Sequence, residues 1–109
     1  MTTYYVSTTG SDSNSGTSRG DAWATIQHAA DNVSAGDTVI VESGSYNERV
    51  TINTNGSSGS RIVFQGESLP DLYGFSIYGD YITIDGFEVE SQICDNSFES
   101  RGVSTEGTN

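Results

Sequence analysis

Runs of β-branched and apolar residues return along this chain at nearly even steps. Thr38-Val39-Ile40-Val41-Glu42, Arg61-Ile62-Val63-Phe64-Gln65, Tyr81-Ile82-Thr83-Ile84-Asp85 and Gly102-Val103-Ser104-Thr105 start 23, 20 and 21 residues apart. A second set, Val50-Thr51-Ile52 and Phe75-Ser76-Ile77, interleaves with the first at a spacing of 25. A period in the twenties marks a solenoid, in which each coil buries its apolar edge only against the next. Alternation within the third run turns Ile82 and Ile84 inward and Tyr81, Thr83 and Asp85 outward. After a corner at Gly86, Phe87 and Val89 turn inward and Glu88 and Glu90 outward. Asp37 to Val41 is apolar on consecutive positions, which predicts a strand buried on both faces. Segments 53–60 and 66–74 read as turns.

The period changes once. Trp23, Ile26, Ala29, Ala30 and Val33 fall at steps of three and four, which predicts a helix over 22–33 with Asp21 as N-cap and Ala35-Gly36 as stop. An amphipathic helix just ahead of a doubly apolar strand is suited to cover the unpaired end of a first coil. Upstream, Tyr4-Tyr5-Val6-Ser7 reads as a strand and Gly10 to Thr17 as a turn-rich loop. The polar run Ser104 to Asn109 offers nothing to cover a last coil, so further coils or self-association through that end are expected. The fold class predicted is all-β: one domain over 1–109, with a strand, loop and cap helix over 1–37 and β-helix coils over 38–109.

Composition supports short strands and tight turns: hydrophobic residues make up 33% and glycines number 13, beside many Ser, Thr and Asn. The apolar residues are grouped rather than spread, which argues against disorder. Fifteen acids face four arginines, with no lysine, for a net charge of -11. Nucleic acid binding depends on cations at phosphates and is not expected. Polyuronates and anionic membrane surfaces would be repelled unless a divalent ion bridged them. A lone cysteine, Cys94, allows no internal disulfide and is read as an inward filler. No stretch reaches membrane-spanning length, and the start carries no basic segment followed by an apolar run.

The ordered set Tyr4-Tyr5-Val6-Ser7, Gly10 to Thr17, Trp23-Ala24-Thr25-Ile26-Gln27 with Ala29-Ala30, Ala35-Gly36-Asp37-Thr38-Val39 and Gly44-Ser45-Tyr46-Asn47-Glu48 continues through Ile62 to Gly66 and Tyr81 to Phe87. It resembles the N-terminal capping portion of right-handed parallel β-helix proteins, the pectate-lyase-like superfamily. The resemblance covers roughly positions 4 to 90 and implies a right-handed coil, but it spans lyases, hydrolases, epimerases and adhesins alike. Lyase members commonly use a Lys or Arg base on later coils beside calcium-binding carboxylates. This chain has no lysine, so the resemblance places such a site outside these residues.

Outward acids Asp80, Asp85, Glu88 and Glu90 are the candidate calcium ligands, although their spacing fits no defined calcium loop and exposed acids on strands also discourage edge pairing. No other cofactor is implied. Asp12 and Asp21 are expected to serve turns and caps, and His28 to lie on the helix surface. Gly56-Ser57-Ser58-Gly59-Ser60 lacks the following helix and lysine of a phosphate cradle. Tyr73, Tyr78 and Tyr81, with Phe98, are candidate platforms for stacking sugars. Asp85 and Glu88 are the nearest approach to a glycosidase pair, and no catalytic residue is assigned. The function expected is a non-catalytic module, structural, adhesive or glycan-contacting, of a secreted or cell-surface protein. The alternative is an N-terminal fragment of a polysaccharide lyase or glycoside hydrolase with its active site elsewhere.

Overall fold

Val39, Ile62 and Ile82, separated by more than twenty residues at each step, lie on neighbouring strands of one parallel sheet. The computed structural model describes residues 2–68, 70–94, 98–101 and 104–105, with side chains as far as Phe87. Its elements are β1 (Thr3–Val6), a 3-10 turn (Arg19–Asp21), α1 (Ile26–Asn32), β2 (Thr38–Val41), β3 (Arg49–Ile52), β4 (Ile62–Gly66), β5 (Asp71–Ile77), β6 (Ile82–Asp85), β7 (Glu88–Cys94), β8 (Phe98–Arg101) and β9 (Ser104–Thr105). The chain is therefore all-β with one short helix. One sheet runs β1-β2-β4-β6-β8 and the other β3-β5-β7-β9, and every strand pairing described is parallel. From β2 onward, successive strands alternate between the two sheets.

In-register stacking makes like residues meet. Val39, Phe64, Ile84 and Ser100 are aligned across the first sheet, as are Ile52, Ile77 and Cys94 across the second. The core between the sheets is built from fully buried Val39, Val41, Ile62, Phe64, Val50, Ile52, Phe75, Ile77, Ile82, Ile84 and Phe87. Phe75 connects the layers, tilted against Phe64 at 6.4 Å and edge-on to Phe87 at 5.2 Å. The corner expected at Gly86 is there, with φ at +81°, a region glycine enters without a Cβ penalty.

The helix starts later than its periodicity indicates. Trp23 pairs with Val6 in a parallel bridge, Ala24 is not yet helical, and the N-cap is Thr25, whose hydroxyl accepts the His28 amide at 3.2 Å. Asp21 ends the 3-10 turn instead, accepting the Ser18 hydroxyl. Trp23 had to be apolar at helical spacing because it packs in the same core, stacked on Tyr4 at 4.8 Å, although it does so from extended backbone. Gly16 makes room for it: its φ is +77°, and a Cβ there would sit 2.5 Å from the indole.

Several other expectations shift. β2 is not buried on both faces: Val39 and Val41 are buried while Thr38 and Ile40 are half-exposed, because no described layer covers that side. Thr83 is buried rather than solvent-facing, since Arg61 lies over it and donates from Nε to its hydroxyl at 2.8 Å. Part of the turn expected over 66–74 is strand, with β5 starting at Asp71. The partner of β6 is β8, not the run beginning at Gly102, and Ser104 and Thr105 belong to the other sheet opposite Glu88 and Val89. Gly102, Val103 and positions 106–109 lie outside the described residues. Among the described residues, no helix is long and apolar enough to cross a membrane.

Helix α1 stands where a strand preceding β3 would pair. The Gln27 carboxamide donates to the Thr51 carbonyl at 2.9 Å and accepts the Thr51 amide at 2.8 Å, the two bonds a neighbouring strand would supply. The Thr54 hydroxyl adds a bond to the Ala30 carbonyl at 3.0 Å.

Candidate functional site

The second sheet carries the exposed large hydrophobic side chains of the described residues, Tyr73 at 48% and Tyr78 at 45%. On β5, residues 72 and 74–77 are buried while Tyr73 is exposed, so strict alternation, which would put Tyr73 on the face of Phe75 and Ile77, breaks between Tyr73 and Phe75. The Tyr73 amide donates to the Glu48 carbonyl at 2.9 Å, which sets Tyr73 beside the residue entering β3. Arg49 follows on the same edge, exposed, with its Nε donating to Ser76 Oγ at 3.0 Å. Tyr78 lies past the end of β5, its amide on the Ile52 carbonyl. Five residues at ~3.3 Å each separate Tyr73 and Tyr78 by at most about 16 Å along the chain, a spacing suited to an extended ligand.

Tyr81 does not join that face. It sits at the corner before β6 with φ at 59°, half-buried, with the Arg61 guanidinium 5.7 Å above its ring. The same guanidinium donates to the Ile82 carbonyl at 3.0 Å. Its ring is thus occupied by a cation from its own fold.

Of the four candidate calcium ligands, Asp80 and Asp85 stand at opposite ends of β6. The Asp80 backbone is tied to the 55–56 turn, its amide donating to Asn55 Oδ1 at 2.8 Å and its carbonyl accepting from Gly56. The side chains of Glu88 and Glu90, like that of Phe98, lie outside the described residues. Among the described residues, no group of three or more His, Cys, Asp or Glu side chains could hold a metal ion.

Two carboxylates organise the segment before α1. Glu48 accepts the Ile26 and Gln27 amides at 2.8 and 3.1 Å, and Asp12 accepts the Ala24 and Thr25 amides at 2.9 and 3.0 Å together with the Thr25 hydroxyl at 2.9 Å. Burial pushes the Asp12 carboxyl up, but the bonds from Thr25 and Ala24, with the His28 charge behind them, outweigh it and hold the group below its usual value. Asp12 thus makes turn bonds ahead of the helix, whose N-cap is Thr25. His28 is half-exposed on α1, edge-on to Trp23 at 4.8 Å. Elsewhere, Arg19 lies over the Tyr5 ring at 5.2 Å and bridges Glu67 at 2.6 Å and Glu42 at 3.3 Å, an exposed cluster that ties the 3-10 turn to the first sheet.

Between these segments lies a pocket of about 190 Å³, lined by Thr8, Thr25, Ser45, Asn47 and Glu48 with Ala24 and Tyr46. Nothing in the sequence pattern assigns these residues a role in binding; Ala24, Thr25 and Ser45 to Glu48 enter only through the family resemblance. The buried Tyr46 hydroxyl donates to the Glu42 carbonyl at 2.8 Å and toward Val6 O at 3.4 Å. Burial, then the charges of Glu42 and Glu48, push its phenol well above the usual value of 10.0. The folded state therefore holds the proton that the unfolded state gives up, and this contribution is complete below pH ~10 and declines as pH rises beyond it. Tyr46→Phe is expected to cost about 1 kcal/mol at neutral pH and to flatten the alkaline fall in stability. Urea unfolding of both proteins at pH 7 and at about pH 10.5 checks this; equal alkaline slopes would contradict it.

No family profile matches the chain. It is 38% identical over 61 residues to the uncharacterized protein YwoF of Bacillus subtilis (strain 168), a match spanning 56% of this chain and 13% of that protein. Among solved structures it superposes on a GH136 lacto-N-biosidase from Eubacterium ramulus with a TM-score of 0.79 and 14% identity, over 98% of this chain and 28% of the enzyme. It superposes on a rhamnogalacturonan lyase with a TM-score of 0.70 and 23% identity, over 82% of this chain and 28% of that one. The chain thus spans under a third of each, and the likeness to the solved structures is one of fold.

Proposed function

We propose that the chain is the sealed end of a right-handed parallel β-helix and serves a secreted or cell-surface carbohydrate-acting protein as a non-catalytic, glycan-contacting module. The observation that carries the reading is the pair of exposed rings at the second sheet, Tyr73 on β5 and Tyr78 just past its end, while the residues flanking each are buried. Aromatic rings held on a flat strand surface suit the apolar faces of sugar rings. Two rigid parallel sheets, closed at one end by α1, give such rings a fixed spacing. A second reading, that the chain is the first part of a polysaccharide lyase or glycoside hydrolase whose reactive groups lie elsewhere, draws on the names of the two solved structures, each more than three times as long as the part this chain matches.

The test is to incubate the purified chain with insoluble neutral and acidic polysaccharides, with calcium or with EDTA, and to measure retention, reducing ends and unsaturated products. Retention on a neutral polysaccharide without product is the expected result. Cleavage by this chain alone would overturn the non-catalytic reading, and no retention on any polysaccharide would overturn glycan contact.

A further inference from the structure

We propose that the pocket between Thr25 and Asn47 is a subsite for one terminal unit of an uncharged glycan, with Tyr73 as the stacking surface for the unit that follows. This rests on the reading of the chain as a glycan-contacting module and adds to it a place and a substrate class.

The size of the pocket points to a single unit. At about 190 Å³ it falls below the range of roughly 300–1,000 Å³ that encloses a drug-sized ligand, so it suits one sugar with the rest of a chain outside. Its chemistry points to hydroxyl groups. Among the described residues, the Thr8 hydroxyl and the Asn47 carboxamide, both on exposed residues, have no hydrogen-bond partner within the chain, and together they offer donors and acceptors without charge. The remaining polar lining is engaged elsewhere. Both Glu48 oxygens accept α1 amides, the Thr25 hydroxyl is held between Asp12 and the His28 amide, and Ser45 donates to Asp71 at 3.4 Å. The amides at the start of α1 are therefore already capped and do not offer an anion site.

Charge excludes the acidic alternative. Glu48 lines the pocket and Asp12 and Asp71 bond two other lining residues, Ala24 and Ser45, within a chain of net charge -11, so a uronate or sulfate entering it is repelled. Position supplies the continuation. The Tyr73 amide bonds the Glu48 carbonyl, so the exposed ring stands on the strand adjoining the pocket wall. Tyr78, just past the end of β5, is beyond the reach of the first two units and is met only by later units of a longer glycan.

The experiment measures binding of soluble cellohexaose, xylohexaose, mannohexaose and hexagalacturonate to the chain and to Asn47→Ala, Thr8→Val, Tyr73→Ala and Tyr78→Ala, by calorimetry, with thermal melts to show that each variant folds. At least one neutral hexaose is expected to bind and hexagalacturonate not to. Asn47→Ala and Tyr73→Ala should each weaken binding about tenfold, and Thr8→Val and Tyr78→Ala each several-fold. Neutral binding left intact by the Asn47, Thr8 and Tyr73 variants would overturn the subsite while leaving the module reading in place. Preference for hexagalacturonate would overturn the charge argument. No binding of any hexaose would also overturn the subsite, and the module reading falls only if the polysaccharide retention test is negative too.

Discussion

Phe75→Ala is expected to destabilise the fold by about 3–5 kcal/mol. Phe75 is fully buried on β5, faces Val50 in register, and touches an aromatic ring from each of two other segments, Phe64 on β4 and Phe87 after the Gly86 corner. Truncation removes the side chain's transfer free energy and leaves a cavity that in-register strands on both sides cannot easily close. Against a typical total of about 5–15 kcal/mol, a loss of that size lowers the melting temperature by roughly 15–25 °C for a domain of this length. Urea unfolding followed by circular dichroism measures it, with Phe75→Leu as the conservative comparison recovering more than half. A loss below about 1 kcal/mol would mean that the two sheets do not share a core at this residue.

The same stacking explains what could be read from the sequence. The interval of 25 between Val50-Thr51-Ile52 and Phe75-Ser76-Ile77 is the register itself, because parallel strands in adjacent rungs place like residues side by side. The first sheet was harder to follow, since aligned residues Val39, Phe64, Ile84 and Ser100 are 25, 20 and then 16 positions apart. A fixed period therefore overshoots β8, whose residues Phe98-Glu99-Ser100-Arg101 carry little apolar signal, and settles on Gly102 to Thr105. The outward position of Tyr73 was not legible, because 66–74 reads as turn and alternation from Phe75 and Ile77 would point it inward; Tyr81 reads as a strand residue because nothing local shows that Arg61 covers it. The pocket was invisible for another reason. Thr8, Thr25 and Asn47 are small polar residues from three separate segments, each ordinary in its own turn, and only the fold brings them together.

Gln27→Leu is expected to convert the sealed β3 edge into an open one. In the native chain the carboxamide satisfies both the amide and the carbonyl of Thr51, and Asp31 accepts the other amide proton at 3.0 Å, which holds the side chain in place. Leucine keeps the helix propensity and much of the volume, so α1 persists while two half-buried backbone groups lose their partners. Water replaces part of the loss at this half-exposed position, leaving a cost of about 1–2 kcal/mol. The qualitative effect is larger than that figure conveys. An unpaired strand edge is a template for another chain, and here the edge is short, flat and bordered by Val50 and Ile52. Light scattering across a concentration series should show association of Gln27→Leu beyond anything the unaltered chain displays, and Gln27→Glu, which cannot donate to the Thr51 carbonyl when ionised, should fall between the two. If the leucine variant were no more associated than the parent at matched stability, α1 would be blocking the edge by bulk alone. The carboxamide would then be one more surface contact rather than the group that completes the sheet.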